Sequence, residues 1–223
     1  NDNVSGLNAQ SSGMDTTNLV QSNLNRTQPY SSYSFNFDFA SADYFDLGGL
    51  QSTTLQPSNA TLVSDGFSVS AWINLDDTSA FRGIWQNDGL GQANYAGLIF
   101  LMNSGGQLNI GYSNNAGAGT GNRKNYITSA AQITSTGVWY HVVAIYKGIA
   151  VTPGLYVNGV EITSFTSSGT ATTLAYSASA KGSIGSVRNG IQQMEGKISN
   201  CACFDRTLTQ AEVLNIYNNG VPQ

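Results

Sequence analysis

Polar and apolar residues alternate with a period of two along several stretches of this chain, the spacing of a strand with one buried face. Tyr33-Ser34-Phe35-Asn36-Phe37-Asp38-Phe39 sets four aromatic residues on one side and polar residues on the other. It predicts a half-buried strand whose aromatics share the core face. A turn at Ala40-Ser41-Ala42-Asp43 leads into a second strand at Tyr44-Phe45-Asp46-Leu47, and Gly48-Gly49 ends it before a loop containing Pro57. From Phe67 to Leu75 the alternation resumes. Phe67, Val69, Ala71 and Ile73 share one face, while Trp72 lies on the other and serves a second hydrophobic layer. Further strands are predicted over 81–86, 95–102, 107–112, 137–146, 154–160 and 196–204, with weaker patterns over 170–175 and 182–187. Tyr126-Ile127 is also extended.

The turns agree with this pattern. Asn158-Gly159 supplies the two positive-φ residues of a type I′ hairpin between two apolar strands. Ser104-Gly105-Gly106 closes another hairpin, and residues 113–125 form a loop rich in Gly and Asn. One helix is specified near the end. Thr209 and Glu212 form a capping box, Leu208 and Val213 a hydrophobic staple, and Val213, Ile216 and Tyr217 one apolar face. Gly220 and Pro222 end it. This helix is expected to plug one end of a sandwich. About a dozen short strands and a terminal helix predict an all-β fold, an antiparallel sandwich of two sheets. Residues 1–29 are polar, with scattered Leu7, Leu19, Val20 and Leu24. They are expected to be an N-terminal arm along the sandwich or the remnant of a preceding segment, with the domain itself at 30–223. The two ends are those expected of a piece excised from a longer chain.

Composition narrows the classes. The chain has 223 residues, enough for one full sandwich core. Only 10% are charged, against about 25% in ordinary soluble domains. The surface is therefore polar and weakly charged, as on extracellular and particle-surface β proteins. Net charge is -4, and Arg123-Lys124 is the sole adjacent basic pair. Nucleic-acid binding, which relies on clustered Lys and Arg, is not expected. Neither is membrane insertion, since no apolar run approaches about 18 residues. Cys201 and Cys203 lie two apart on one strand. Their side chains would run parallel at roughly 6.5 Å spacing, which opposes a disulfide, and they read as small buried apolar groups.

The order of these motifs resembles laminin-G-like jelly rolls of the concanavalin A-like lectin/glucanase superfamily. Residues 33–47, 67–75, 137–146, 155–160 and 196–217 resemble its opening hairpin, its Phe-Ser-Val-Ser-Ala-Trp strand, its Trp-Tyr-His strand, its Tyr-Val-Asn-Gly hairpin and its closing segment. The likeness covers roughly residues 30–220. Asn18-Leu19-Val20-Gln21, Tyr30-Ser31-Ser32-Tyr33-Ser34 and Ile216-Tyr217-Asn218-Asn219-Gly220 are in addition similar to modules of marine bacteriophage structural or adhesin-like proteins. The closing segment has Ser199-Asn200 where relatives carry an acidic pair, and the opening hairpin has the single acid Asp43. Both departures weaken a calcium site carried over from relatives.

Chemistry follows from the side chains available. Glucanases of this fold present paired carboxylates from one strand, whereas the three Glu here, Glu161, Glu195 and Glu212, have no acid two or four residues away. His141 is the only histidine and lacks the partners of a nucleophilic relay, so it reads as a packing residue. Gly117-x-Gly119-x-Gly121 precedes an extended run rather than a helix, which removes a phosphate loop. No cofactor is required. Calcium is the metal that the loop acids could take, with Asp43, Asp76, Asp77 and Asp88 as candidate ligands. Aromatic and amide residues at the loop ends are candidates for a ligand surface: Trp85, Asp88, Asn94, Tyr112, Asn115, Arg123 and Tyr126. The function expected is a non-catalytic module of a virion or extracellular assembly, serving structure, decoration or adhesion through protein partners. Oligomers are compatible with this. The alternative is a carbohydrate-binding module, calcium-assisted, with a glycan as partner.

Overall fold

The computed structural model describes residues 10–14, 19–21, 33–50, 53–88, 95–178, 181–187 and 191–217. Among them, fifteen strands run in chain order as β1 (Gln10–Ser12), β2 (Leu19–Gln21), β3 (Tyr33–Phe37), β4 (Tyr44–Gly49), β5 (Phe67–Leu75), β6 (Arg82–Gln86), β7 (Ala96–Met102), β8 (Leu108–Asn114), β9 (Arg123–Thr128), β10 (Trp139–Tyr146), β11 (Gly154–Val157), β12 (Val160–Glu161), β13 (Phe165–Ser168), β14 (Lys181–Ile184) and β15 (Gly196–Phe204). They form an eight-stranded sheet in the order β1-β4-β14-β6-β7-β8-β9-β13 and a seven-stranded sheet in the order β12-β11-β10-β5-β15-β3-β2. All pairings are antiparallel. Two helices, α1 (Asn59–Ser64) and α2 (Gln210–Tyr217), complete the fold. The predicted jelly-roll sandwich is the fold observed.

The main core lies between the sheets. Phe67, Val69, Ala71 and Ile73 of β5 are fully buried there, as their alternation required. Phe67 stacks on Trp85 of β6 with ring centroids 5.4 Å apart. Burying one such aromatic side chain contributes roughly 2–3 kcal/mol, so these rings anchor the two sheets against each other. Asn158 and Gly159 adopt φ of 51° and 78°, the predicted hairpin geometry. Asn158 does more than turn the chain: its Oδ1 accepts from the His141 amide at 2.8 Å, tying the turn back to β10.

A second, smaller core sits on the outer face of the seven-stranded sheet. Val143, Ile145 and Tyr156 meet Leu208 and Val213 there. Trp72 stacks on Tyr217 at 5.8 Å, supplying the second layer that its opposite parity predicted. Helix α2 starts as expected, with Glu212 Oε2 accepting from the Thr209 amide at 2.8 Å and Thr209 Oγ1 from the Glu212 amide at 3.3 Å. It does not plug an end of the sandwich. Its apolar side chains reach the sheet face instead, because β10 and β11 present apolar residues outward as well as inward.

Other expectations are corrected. Of the predicted aromatic face of β3, Phe37 is buried, while Phe35 is 41% exposed and packs edge-on against Phe45. The strand ends before Phe39, which lies in the turn under the Arg82 guanidinium. The side chain of Tyr33 lies outside the described ones. Residues 170–175 are not a strand; isolated bonds to Arg123, Ser113 and Gly97 hold them. The loop around Pro57 contains α1, whose Ser58 cap accepts from the Thr61 amide at 3.0 Å. Strand β13 was not predicted. Cys201 and Cys203 are free thiols packed against the main core, and burial pushes Cys201 up to about 12 and Cys203 well up, so neither is a ready nucleophile. The described parts of residues 1–29 add edge strands, β1 beside β4 and β2 beside β3.

Candidate functional site

The two faces of the eight-stranded sheet differ by strand parity. Trp85, Phe100, Ile110 and Tyr126 stand in register across β6, β7, β8 and β9, and all four side chains belong to the main core. One residue further along each strand, the register row is Gln86, Ile99, Gly111, Asn125 and Ser168. Successive side chains of a strand point to opposite faces, so this row faces outward. A neighbouring row holds Leu101, Asn109, Ile127 and Thr166, and another Gly97, Ser113 and Arg123.

These outward rows form a groove of about 240 Å³, lined by Gln86, Ile99, Leu101, Asn109, Ser113, Arg123, Asn125, Ile127 and Ser168, with Phe81, Tyr95, Asp88 and Gln192 at its margins. Phe81 precedes β6 and Tyr95 precedes β7. The two strands are antiparallel, so these aromatics mark opposite ends, roughly 26 Å apart along β7 at strand rise. A second hollow of about 290 Å³, lined by Tyr44, Asp46, Lys181, Gly182 and Ser183, shares Gln86 with the first.

Two glycines shape the floor. A Cβ on Gly111 would stand 2.3 Å from Asn125 Oδ1 and 2.9 Å from the Lys124 carbonyl, so the missing side chain lets Asn125 lie across β8. Gly97, at φ 70°, would bring a Cβ to 2.6 Å from Asp88 Cβ and 2.6 Å from Asn87 Oδ1. Asn87 and Asp88 are thereby seated against β7. Asn87 Oδ1 accepts from the Leu98 amide at 2.7 Å, and Asp88 accepts from the Ser177 amide at 2.6 Å and its hydroxyl at 3.1 Å.

The groove contains buried polar atoms without a partner. Asn109 donates to Asn103 Oδ1 at 3.2 Å, but its own Oδ1 accepts nothing. Asn125 Oδ1, Gln192 Oε1 and Arg123 Nε are in the same condition. Asn109 and Asn125 are only 5% and 8% exposed. Each buried acceptor left unmade costs about 1–3 kcal/mol, a cost that a ligand carrying hydroxyl donors would relieve. The Arg123 guanidinium sits 5.0 Å from the Tyr95 ring centroid, and the four ion pairs among the described residues do not include it.

The residues expected from sequence divide between the two faces. Arg123 and Asp88 border the groove. Trp85, Tyr112 and Tyr126 are corrected: they lie on the core face, one residue out of phase with the groove. Tyr112 is a buried strut, its hydroxyl donating to the Ala171 carbonyl at 3.0 Å and accepting from the Ala150 amide at 3.0 Å. Asn115, at φ 59°, serves its turn and donates to the Tyr176 carbonyl at 3.1 Å. Asn94 lies outside the described residues. Sequence reasoning missed Gln86, Asn109, Asn125 and Gln192. The signal for Asn109 was present: in Leu108-Asn109-Ile110-Gly111-Tyr112-Ser113 the polar stripe is as regular as the apolar one.

The candidate calcium acids do not gather. Among the described residues no group of three or more His, Cys, Asp or Glu could hold a metal ion. Asp43 is buried and accepts from the Asp38 amide at 3.0 Å. Asp76 lies 3.8 Å from Lys197. Asp77 contacts Arg82, and hydrogen bonds from Ser79 and Arg82 hold its carboxyl down at about 2. Asp88 is taken up by Ser177. Of the glutamates, Glu195 accepts from the Phe39 amide at 3.1 Å and Glu212 caps α2; neither they nor Glu161 lines the groove. His141 is fully buried and shares a 2.9 Å hydrogen bond with Ser70 Oγ, and burial pushes its pKa down to about 4.

No helix among the described residues is long and apolar enough to cross a membrane. No curated protein matches the chain in sequence. Solved structures match it in fold. The binding domain of Paraclostridial Mosquitocidal Protein 1 is similar with a TM-score of 0.61 and 16% identity, covering 95% of this chain and 47% of that one. The binding domain of Botulinum Neurotoxin DC in complex with SialylT gives 0.59 and 14%, covering 97% and 48%. Trypanosoma rangeli sialidase gives 0.50 and 15%, covering 83% and 27%. The chain thus spans about half the length of the two binding domains it matches. A laminin-G family model, that of the concanavalin A-like lectin/glucanases superfamily, matches residues 47–214. That match takes in most of both sheets, the groove strands and most of α2, and by it the chain belongs to the concanavalin A-like lectin/glucanases superfamily.

Proposed function

We propose that this chain is a non-catalytic binding module that takes a saccharide in the groove on the outer face of the eight-stranded sheet. It would serve recognition or adhesion in an extracellular or virion-surface assembly. The observation that carries this reading is the pair of buried, unpartnered amide oxygens, Asn109 Oδ1 and Asn125 Oδ1, in an open hollow. A saccharide supplies what the groove lacks. Its hydroxyls donate to these oxygens, its C–H faces pack on Ile99, Leu101 and Ile127, and its ends meet Phe81 and Tyr95. A binding role, rather than cleavage, is supported by the acids: Asp88 is the only carboxylate among the groove-lining residues. Two-carboxylate hydrolysis needs a second one roughly 5–9.5 Å away. The family and the binding domains among the structural neighbours fit this reading.

The test is a glycan array followed by titration calorimetry, on the native chain and on Asn109→Ala and Asn125→Ala. Binding of an array hit that weakens about tenfold in each variant, the worth of one hydrogen bond, is the expected result. Binding that neither variant alters would remove the groove as the site.

A further inference from the structure

We infer that the saccharide is anionic, with Arg123 receiving a carboxylate or sulfate group; the inference rests on the reading of the groove as a saccharide site. The groove has two unmet needs of opposite kind. Asn109 Oδ1 and Asn125 Oδ1 need donors, while the Arg123 guanidinium needs an acceptor, since its Nε is buried with none in reach. A neutral sugar answers the amides and leaves a half-buried cation without its counter-charge. A simple anion such as phosphate or acetate answers the cation and sets acceptor against acceptor at the amides. An acidic sugar carries hydroxyl donors and an anionic group on one frame, and it answers both.

The charge balance around the groove agrees. Among the described residues Asp88 is the only acid at its margin, and its carboxylate already accepts two hydrogen bonds from Ser177. Gly97, against which Asp88 is seated, is two strands from Arg123 in register, about 10 Å at the spacing of a sheet. The guanidinium carbon lies over the Tyr95 ring, 5.0 Å from its centroid, and a guanidinium binds a planar anion through paired N–H donors. Arg123 and Asn125 lie two apart on β9, on one face and roughly 6.5 Å apart, so one sugar ring could meet both. The chain as a whole carries a net charge of -4. Long-range attraction therefore does not gather anions here, and selectivity must come from contact with Arg123.

Calorimetric titration of matched ligand pairs tests this. One arm uses trigalacturonate against its methyl ester and sialyllactose against lactose, and a second uses a sulfated oligosaccharide against its desulfated form. The native chain should bind the acidic member of at least one pair about tenfold more tightly, the worth of a charge-assisted hydrogen bond. The arm in which this occurs identifies carboxylate or sulfate. The preference should shrink as salt is raised, collapse in Arg123→Gln and partly return in Arg123→Lys. Circular dichroism of both variants verifies the fold. Equal affinity for acidic and neutral members, or a preference that survives in R123Q, overturns the inference and leaves the groove reading standing. Binding to no member of any pair, with no hit on the array, overturns both.

Discussion

The outer faces of the two sheets began from the same strand chemistry and took opposite courses. On the seven-stranded sheet, β10 and β11 point Val143, Ile145 and Tyr156 outward, and α2 covers them. The serines beside them are bonded as well: Ser68 Oγ donates to the Arg206 carbonyl at 2.8 Å and accepts from the Leu208 amide at 3.1 Å, and Ser70 holds His141. On the eight-stranded sheet the outward residues are amides, serines and glycines between scattered aliphatics, and the Oδ1 atoms of Asn109 and Asn125 stay unbonded. One face carries stability and the other carries unspent hydrogen-bonding capacity. Burial alone does not separate them, since Asn109 is 5% exposed and Trp72 4%. What differs is whether the chain supplies the covering partner itself.

The largest effect expected is on the covered face. Trp72→Ala removes the ring that stacks on Tyr217 and meets His141 at a tilt, and should lower stability by about 3–5 kcal/mol in urea denaturation. A loss below about 1 kcal/mol would mean that α2 is not a working part of the core. Acidification should come next. His141 is the only histidine, and its folded pKa near 4 lies below its ordinary 6.5. Between these values the unfolded chain binds the extra proton, so stability is complete above about pH 6.5 and is lost as pH falls through 4. The loss approaches roughly 3 kcal/mol. His141→Gln should flatten the stability profile in that window, and leave the separate change below about 3.8 that Asp77 contributes as its carboxylate, held near 2, protonates.

On the open face the expected changes in stability are smaller and those in binding larger. Gly111→Ala drives a methyl into Asn125 and the Lys124 carbonyl, for about 1–3 kcal/mol of overpacking, and should abolish binding by displacing Asn125. Asn125→Ala should lower stability by less than about 0.5 kcal/mol, because removing the unpartnered oxygen relieves a cost that offsets the packing lost. A destabilisation as large as that of Trp72→Ala would erase the contrast between the faces.

The covered face was the more legible in sequence. Trp72 breaks the alternation of β5, and the Thr209-Glu212 box with Leu208 and Val213 announces a helix with one apolar side. A hydrophobic residue at the wrong parity demands a partner, and α2 was available to be that partner. The site was harder to read because its residues are defined by what they lack. Trp85, Tyr112 and Tyr126 drew attention as aromatics near loops, yet aromatics are as useful inside a sandwich as on it. Register decided the matter: one step along each strand exchanges Trp85 for Gln86, Ile110 for Gly111 and Tyr126 for Asn125. Phe39 went astray for another reason, since the strand alternation continues into a turn that Asp38 and Asp43 hold together at 3.0 Å. Residues 170–175 are extended without a ladder, a state that pattern alone does not distinguish from a strand.

The four sheet edges bear on how such molecules behave when crowded side by side. The outermost strands, β1, β2, β12 and β13, have three, three, two and four residues. Among the described residues, an intruding strand from a neighbouring copy would find two to four consecutive residues to pair with at each of them, a short template for an intermolecular sheet. Displayed densely, copies of this sandwich would thus have little described edge on which to merge their sheets, and the groove lies on a sheet face away from those edges.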